Sequence, residues 1–306
     1  MTPPIPPAIL VTGATGFTGR FVCQELRRRQ WPFTCLVRPS SDTTWLAQHS
    51  IPWVTADLTD GLALKQAFAG FQTLINVASL GFGWAPGVIA ACQAQHLQRA
   101  VFVSTTALFT KLNARSKAMR QAAESAIQTS GLNYTILRPT MIYGTPGDRN
   151  MVRLLRLIQR SPIIPVFGDG QSYQQPVYVA DLAWAICEVL NHPHTIGRDY
   201  NLSGGQVLTY NQVIETAARA LGRSPLILHL PAQPIIYLLE TLERFHLPLP
   251  LKGEQIRRLN EDKTFSHSFA QQDFGYHPRG FARGIAMEVE LLKEGRRATG
   301  AGRKGE

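Results

Sequence analysis

A run of spaced glycines near the N-terminus restricts the fold of this chain more than any other feature. The segment TGATGFTG occupies residues 12–19 and directly follows an apolar run at residues 8–12. Gly13 permits a tight turn, Gly16 lets the backbone approach a pyrophosphate, and Gly19 lets a helix pack closely on a strand. A simple turn is the alternative, but this position between a strand and a helix favours a nucleotide-binding loop whose helix faces the anion. We expect the loop contacts from Gly13, Thr15, Gly16, Phe17, Thr18 and Gly19.

The first 145 residues alternate short apolar runs with helical patterns, which is typical of a parallel sheet covered on both faces. This alternation predicts an α/β fold with a doubly wound parallel sheet of the Rossmann type. We predict strands at residues 8–12, 33–37, 53–56, 73–77, 100–103 and 134–137, and helices at residues 19–29, 62–68, 88–98 and 114–129.

Beyond Gly144 the rhythm of the pattern changes, and the segments predict a smaller C-terminal substrate cap. We assign residues 1–145 to the nucleotide-binding domain and residues 146–292 to the cap, which is partly interleaved with the sheet. Residues 293–306 are basic and lack apolar periodicity, so a flexible tail is predicted there.

Three features of the sequence keep two or more interpretations each. The loop at residues 81–84, GFGW, either closes over the cofactor or packs its aromatic rings on the cap. The apolar face of residues 231–245 suits a cap core, a lipid-like substrate or a partner helix. Four arginines share one predicted helix face that suits either solvent or a phosphate group: Arg149, Arg153, Arg156 and Arg160.

The composition argues against disorder and does not favour a nucleic-acid-binding protein. Apolar residues make up 44% of the 306 residues, which is enough for a large core. The net charge is +10, but the basic residues are scattered and lack the interleaved aromatic residues of a base-stacking surface. A pocket for phosphorylated small molecules explains the excess charge as well.

The cysteines and the apolar segments predict a cytoplasmic protein without a membrane span. Residues 1–7 hold four prolines and no basic residue, unlike a secretory signal peptide. The uncharged run at residues 66–98 is interrupted by glycines and Pro86, so it predicts a strand, a loop and a packed helix. No cysteine pair has C-x-x-C spacing, so we expect no metal site and four buried free thiols: Cys23, Cys35, Cys92 and Cys187.

The residue that follows the second predicted strand indicates which dinucleotide is preferred. An acidic side chain there would bind the ribose 2′-hydroxyl, whereas this chain has Arg38. Arg38 is expected to pair with a 2′-phosphate, with a hydrogen bond from Ser40 or Ser41. NADP is therefore predicted over NAD, and a solvated surface arginine is the alternative.

Residues after the third and fourth predicted strands are expected to complete the cofactor site. Asp57 and Leu58 are predicted beside the adenine, although Asp57 also suits a helix cap or a turn. The backbone at Val77 and Ala78 is expected to line the far ribose and the middle of the cofactor.

Together these motifs resemble those of an extended or atypical short-chain dehydrogenase/reductase, and most of all the NAD-dependent epimerase/dehydratase family. The resemblance covers about residues 8–292, and the chain is also similar to the reductase-like accessory subunit of respiratory complex I. The resemblance implies a small-molecule substrate and a homodimer. The matching segments are TGATGFTG at residues 12–19, Asp57-Leu58, VST at 103–105, LRPTMIYG at 137–144, FGDG at 167–170, QPVYVADLA at 175–183 and DFGYHP at 273–278.

The resemblance implies a catalytic set of a hydroxyl residue followed by a tyrosine and a lysine four residues apart. Thr105 matches the hydroxyl residue, which orients the substrate oxygen, and Lys117 matches the lysine, which holds the nicotinamide ribose. The tyrosine position holds Asn113, whose amide cannot supply or take up a proton near neutral pH. The same motif implies that Pro139 lies beside the cofactor.

The replacement at position 113 leaves two functions open. One is an NADP-dependent oxidoreductase or epimerase-like enzyme that acts on a carbonyl or hydroxyl group, with a nucleotide sugar as the candidate substrate. The other is a non-catalytic NADP(H)-binding sensor or assembly factor. In the first case another acid would replace the tyrosine, and the sequence offers Tyr143, Tyr178, His96 and His267.

Overall fold

The computed structural model describes residues 8–112, 115–245 and 252–301. The strands are β1 (Ile9–Thr12), β2 (Phe33–Val37), β3 (Trp53–Thr55), β4 (Thr73–Asn76), β5 (Arg99–Val103), β6 (Tyr134–Pro139), β7 (Ile142–Tyr143), β8 (Ile163–Phe167), β9 (Tyr173–Gln174), β10 (Val177–Tyr178), β11 (Arg198–Leu202), β12 (Leu208–Thr209) and β13 (Leu226–Leu230).

The α-helices are α1 (Phe17–Arg28), α2 (Thr44–Gln48), α3 (Gly61–Ala67), α4 (Ala85–Ala94), α5 (Arg115–Gln128), α6 (Met151–Arg160), α7 (Val179–Glu188), α8 (Tyr210–Ala220), α9 (Ala232–Arg244), α10 (Gly253–Leu259), α11 (Ser268–Phe274) and α12 (Phe281–Ala301). Short 3-10 helices lie at Leu80–Phe82, Thr106–Phe109, Val189–Asn191 and Pro193–Thr195.

Within the described residues, seven parallel strands form the main sheet in the order β3-β2-β1-β4-β5-β6-β11. The order reverses direction at β1, where the chain first passes outward to β3 and then resumes at β4. The central strands are continuous apolar runs because helices cover both of their faces, and every residue of β1 is buried. The prediction of a doubly wound parallel sheet is confirmed. The carboxyl ends of β1 and β4, on either side of the reversal, are where such sheets bind ligands.

The chain divides into two compact units. The first contains the residues up to Thr140, together with Val179–Leu202 and Ser266–His277. It therefore holds the main sheet, including β11, which pairs with β6. The second unit contains Met141–Tyr178, Ser203–Phe265 and the residues from Pro278 onward. The chain thus leaves the first unit after Thr140 and returns to it twice.

The second unit contains three two-stranded sheets among its described residues: β7 with β10, β9 with β12, and β8 with β13. Helix α12 packs against α8 and buries Phe281, Ile285 and Val289. The helix continues to Ala301, so much of the segment predicted as a flexible tail from residue 293 is helical. In α9, by contrast, Leu238 is 56% exposed, although its apolar pattern suits a core.

Candidate functional site

The glycine loop connects β1 to α1 in the way that the spacing predicts. Gly13 has a φ of +71°, in the left-handed region that favours glycine. The backbone N–H of Gly16 donates to the carbonyl of Gly13 over 3.1 Å, which closes a tight turn. Gly16 is the N-cap of α1, and its exposed Cα faces solvent. A ligand can therefore approach the backbone of this turn closely.

Gly19 serves packing, because it lies where the first turn of α1 meets the loop. A Cβ atom on Gly19 would lie 2.1 Å from the carbonyl oxygen of Gly13 and 2.7 Å from the Cα of Ala14. A Cβ atom on Gly13 would lie 2.6 Å from the backbone nitrogen of Ala78. Real Cβ atoms essentially never come this close to backbone, so only glycine fits both positions.

The N-terminus of α1 is suited to bind an anion. No side chain of the described residues caps it, and the helix has no acidic residue in its first turn. Its first N–H groups, at Phe17, Thr18 and Gly19, begin a helix of 12 residues whose dipole is positive at this end. The loop and helix therefore fit the pyrophosphate of a dinucleotide, which would bind to the backbone of residues 13–19.

A buried pair of polar side chains shapes the neighbouring strand end. The hydroxyl of Thr12 donates to Oδ1 of Asn76 over 2.7 Å, and Nδ2 of Asn76 donates to the carbonyl of Ala78 over 3.0 Å. The N–H of Val77 donates to the carbonyl of Thr12. These bonds hold the half-buried residues Val77 and Ala78 against the glycine loop, next to the predicted cofactor path.

Arg38 follows β2 directly and is exposed. Its N–H donates to Oγ of Ser41 over 3.2 Å, and the N–H of Ser41 donates back to the carbonyl of Arg38, which forms a turn. Ser40 lies in this turn and is exposed as well. The arginine is thus held by its backbone at the carboxyl edge of the sheet, with its guanidinium open to a ligand.

Asp57 and Leu58 follow β3, the neighbour of β2. The carboxylate of Asp57 accepts hydrogen bonds from the hydroxyl and the N–H of Thr59, over 2.6 and 2.9 Å. These bonds lower the pKa of Asp57, and the positive charge of Arg38 lowers it further. Leu58 is buried, and the N-cap of α3 is Asp60. Asp57 therefore occupies a turn, and its predicted contact with adenine stays a prediction.

Arg20 lies in the first turn of α1 and was not predicted to be a site residue. Its guanidinium carbon lies 5.6 Å from the centre of the Trp45 ring, and its Nε is buried without a hydrogen bond among the described residues. Trp45 belongs to α2, which follows the Arg38 turn in the chain. The sequence signal for Arg20 is an arginine directly after the third glycine of the loop. The proximity of Arg20 to Trp45, however, depends on the fold.

The predicted catalytic hydroxyl lies beyond the end of β5. Oγ1 of Thr105 accepts from the N–H of Ala107 over 3.1 Å, which leaves the hydroxyl hydrogen available to an outside acceptor. The adjacent Thr106 is buried, and its hydroxyl donates to the carbonyl of Pro139 over 3.2 Å. Thr105 is thus better placed than Thr106 to bind a substrate oxygen. The same bond fixes Pro139 within the protein at the end of β6.

Lys117 lies in the first turn of α5 and is partly buried. Its ammonium group donates to the carbonyl of Thr110 over 2.6 Å. An ammonium group has three donors, so this bond leaves two for a ligand. Asn113, at the position of the family's tyrosine, lies outside the described residues. The first unit therefore holds Thr105 and Lys117 at the same sheet edge as the glycine loop.

The four residues proposed as replacement acids lie in different environments. Tyr143 and Tyr178 are buried in the second unit, where their rings contact edge to face at 5.6 Å. The hydroxyl of Tyr143 donates to the carbonyl of Phe281. His96 is exposed, and burial together with the neighbouring His277 lowers the pKa of His267. Both tyrosines pack within the second unit as core residues do.

The remaining expectations concern thiols, metals and membranes. The cysteines are free and buried as predicted: Cys23, Cys35, Cys92 and Cys187. In the described ranges, no three carboxylate, histidine or cysteine side chains are grouped to hold a metal ion. No helix of the described part of the chain is long and apolar enough to cross a membrane.

A parallel sheet with a glycine loop at its topological switch point is the architecture of a dinucleotide-binding domain. The model of the NAD(P)H-binding family matches residues 13–193. The chain belongs to this family, within the extended short-chain dehydrogenases/reductases and epimerases.

The chain is similar to two reductases and to a subunit of NADH dehydrogenase over two thirds of its length or more. It is 29% identical to the ceramide reductase of Caulobacter vibrioides over 243 residues, which cover 74% of this chain and 75% of that protein. It is 25% identical to the 2-alkyl-3-oxoalkanoate reductase of Stenotrophomonas maltophilia, with 89% and 94% covered. It is also 28% identical to the NADH dehydrogenase 1 alpha subcomplex subunit 9 of Dictyostelium discoideum, with 67% and 61% covered.

Solved structures show the same fold at low sequence identity. The structure of gox2253 has a TM-score of 0.78 at 20% identity, and covers 94% of this chain and 98% of its own. The UDP-glucose 4-epimerase of Thermotoga maritima, solved with UDP-glucose, has a TM-score of 0.74 at 16% identity, with 94% and 99% covered. These likenesses extend to the fold and leave the substrate of this chain open.

Proposed function

We propose that this protein is an NADP(H)-dependent reductase that converts a carbonyl group of a small molecule into a hydroxyl group. The observation that carries the proposal is the position of Lys117 and Thr105 at the carboxyl edge that also holds the glycine loop. The similarity to two reductases along most of the chain favours reduction over epimerisation.

The cofactor in this proposal is NADP(H) rather than NAD(H). Arg38 is exposed directly after β2. Arg20 adds a second guanidinium, which lies near Trp45 in the helix that follows the Arg38 turn. Two guanidinium groups suit a 2′-phosphate, which they bind through charge-assisted hydrogen bonds. When bound, NADPH would supply a hydride to the carbonyl carbon of the substrate.

The residues of the chain then have to hold the carbonyl oxygen and give it a proton. The hydroxyl of Thr105 would donate to that oxygen, since its own acceptor site is occupied by Ala107. Lys117 would hold the nicotinamide ribose and supply the proton, because Asn113 at the usual tyrosine position has no proton to give. The lysine, once neutral, regains its proton from water.

Substitutions of Lys117 test this division of roles. In Lys117→Arg the charge stays but the proton is not released, because a guanidinium does not deprotonate in proteins. We expect kcat for NADPH-dependent carbonyl reduction to fall at least roughly 100-fold in Lys117→Arg and Lys117→Ala. Calorimetric titration should give NADPH affinity within about threefold of wild type for Lys117→Arg. Wild-type turnover by Lys117→Arg would exclude this lysine as the proton donor.

Substitution of Arg38 tests the choice of cofactor. Arg38→Ala should weaken NADPH binding at least tenfold, about 1.4 kcal/mol, and leave NADH binding unchanged, since NADH has no 2′-phosphate. The matched control is Arg27→Ala, because Arg27 is an exposed arginine at the far end of α1. Equal losses for both nucleotides in Arg38→Ala would contradict the assignment of this side chain.

A second candidate, a non-catalytic NADP(H)-binding sensor or assembly factor, is favoured by Asn113 at the position of the family's tyrosine. It agrees with the similarity to a subunit of NADH dehydrogenase. NADPH binding without oxidation of NADPH by any member of a broad carbonyl panel would support this candidate and refute the reductase.

A further inference from the structure

Two aromatic rings are exposed on loops that follow neighbouring strands of the first unit. Phe82 is 66% exposed and lies after β4, and Phe109 is 45% exposed and lies after β5. Because β4 and β5 are parallel neighbours, both loops leave the carboxyl edge of the sheet. Aromatic side chains exposed at this edge are in a position to contact a ligand, because ligands of such sheets bind at the carboxyl ends of the strands.

Both loops pack against the helix that carries Lys117. A Cβ atom on Gly81 would lie 3.3 Å from Nε of Arg120, and one on Gly83 would lie 3.4 Å from Cε of Met119, so the Phe82 loop rests on the first turns of α5. On the other loop, the carbonyl of Thr110 accepts the hydrogen bond from Lys117. Both loops therefore border the N-terminal half of α5.

The rings are held in place rather than loosely exposed. Phe82 stacks on Trp84, with ring centres 4.9 Å apart and planes 28° apart, and Trp84 packs against the core of the first unit. Oγ of Ser79 accepts from the N–H of Gly81, which caps the short helix that carries Phe82. Phe109 lies over the guanidinium of Arg138, 5.4 Å away, and Arg138 is paired with Glu124. Preorganised rings lose little entropy when a ligand covers them.

The chemistry of these loops points to an uncharged ligand. Residues 66–98 and 100–110 contain no Lys, Arg, Asp or Glu. The two guanidinium groups beside these loops already have partners, because that of Arg120 donates to Oγ of Ser116 and that of Arg138 is paired with Glu124. A diphosphate or a carboxylate would need cationic partners, whereas an alkyl chain needs only apolar surface.

We propose that Phe82 and Phe109 form a subsite for the alkyl chain of an apolar ketone whose carbonyl group is bound at Thr105 and Lys117. This inference rests on the proposed reductase and adds its substrate class: ketones with a hydrocarbon chain rather than nucleotide sugars. Phe82 and Phe109 are specificity-determining residues in this account.

The test measures binding without turnover, in the protein saturated with NADP⁺. Methyl ketones from 2-pentanone to 2-nonanone are titrated calorimetrically into wild type, Phe82→Ala, Phe109→Ala and Phe269→Ala. Phe269 is the matched control, because it is 69% exposed in the same unit but lies on α11, which packs at β11. Both substitutions in the proposed subsite are of exposed rings, so we expect them to fold.

In wild type, Kd should fall roughly threefold for each added methylene, as expected for burial of a hydrocarbon group. The slope of log Kd against the number of methylene groups should fall to half or less in Phe82→Ala and Phe109→Ala. The slope should stay unchanged in Phe269→Ala. A wild-type Kd that does not vary with chain length would overturn the proposal, as would tighter binding of UDP-glucose than of 2-nonanone.

The same series separates this inference from the proposed function. Chain-length-dependent binding without reduction of any ketone by NADPH would refute the reductase and keep the subsite. Reduction of short ketones with no dependence on chain length, in binding or in kcat/KM, would keep the reductase and refute the subsite.

Discussion

Gly19→Ala is expected to destabilise the fold and to abolish nucleotide binding together. The new methyl group would lie 2.1 Å from the carbonyl oxygen of Gly13, and the backbone that carries each of these atoms is held in place by β1 and α1. The contact is relieved only if the helix moves off the strand, so we expect a loss of roughly 3 kcal/mol in the free energy of unfolding. Urea denaturation gives this value, and titration with NADPH gives the loss of affinity.

Two other glycines provide controls for this experiment. A Cβ atom on Gly16 would lie 3.2 Å from the carbonyl oxygen of Gly13, and the φ of −77° suits any residue. Gly16→Ala should therefore fold with little loss of stability but bind NADPH at least tenfold more weakly, about 1.4 kcal/mol. Gly87 lies in α4 with neighbours at 3.6 and 3.7 Å, so Gly87→Ala should gain up to about 1 kcal/mol of stability. Wild-type stability in Gly19→Ala would contradict the packing argument.

Glu288→Gln should remove a pH dependence of stability that originates in the second unit. Glu288 is fully buried in α12, beside Asp148, which is 6% exposed. Burial, followed by the adjacent carboxyl of Asp148, raises the pKa of Glu288 to about 9 from an ordinary value of 4.5. The carboxylate of Asp148 accepts hydrogen bonds from the N–H groups of Asn150 and Val152 at the start of α6, and these bonds hold it in place.

A raised carboxyl pKa means that the folded protein keeps a proton that the unfolded chain releases. Stability from this group is complete below the unfolded pKa and is lost as the pH rises towards the folded pKa. Between about pH 5 and pH 9, the free energy of unfolding should fall by up to about 1.4 kcal/mol per pH unit in wild type. Glu288→Gln carries no proton to lose, so its stability should exceed that of wild type increasingly above pH 6.

The matched control for this series is Glu290→Gln, because Glu290 is an exposed glutamate of the same helix that pairs with Lys293. It should keep the wild-type pH dependence within about 0.5 kcal/mol. Denaturation curves at pH 5, 7 and 9 give the free energy of unfolding of wild type, Glu288→Gln and Glu290→Gln. An identical slope in Glu288→Gln and wild type would mean that Glu288 is charged in the folded protein.

The sheet of the first unit could be predicted because its strands are buried on both faces. Such strands are continuous apolar runs, and the predicted ranges 33–37 and 73–77 agree with β2 and β4 to within one residue. The glycine spacing also predicted the loop at residues 12–19, because each glycine is needed for a steric reason set by its immediate neighbours. α2 was missed, because five residues are too few for a helical period to be visible.

The second unit was predictable only in outline. The apolar period of residues 231–245 indicates a helix, and α9 spans Ala232–Arg244, but periodicity does not reveal what covers a face. Tyr237 and Leu238 are 76% and 56% exposed. Glu288 was not singled out either, since a glutamate in an amphipathic helix is usually solvated, and its burial depends on how α12 packs against α8.

The candidate site divides in the same way. Arg38, Thr105 and Lys117 could be predicted as site residues because each follows a strand or begins a helix at a fixed offset from a motif, and their roles stay predictions. Arg20 and Phe109 were not assigned roles, because their positions beside Trp45 and Arg138 are formed only by the fold. Motif spacing predicts which functional residues lie at the ends of strands. Clusters of side chains from different elements are visible only in the structure.

The central claim is that the glycine loop and Arg38 bind NADP(H). The most direct test is calorimetric titration of the purified wild-type protein with NADPH and, separately, with NADH. The account predicts one nucleotide per chain and NADPH bound at least tenfold more tightly, a difference of about 1.4 kcal/mol. Equal affinities would contradict the role of Arg38, and no binding of either nucleotide would contradict the account as a whole.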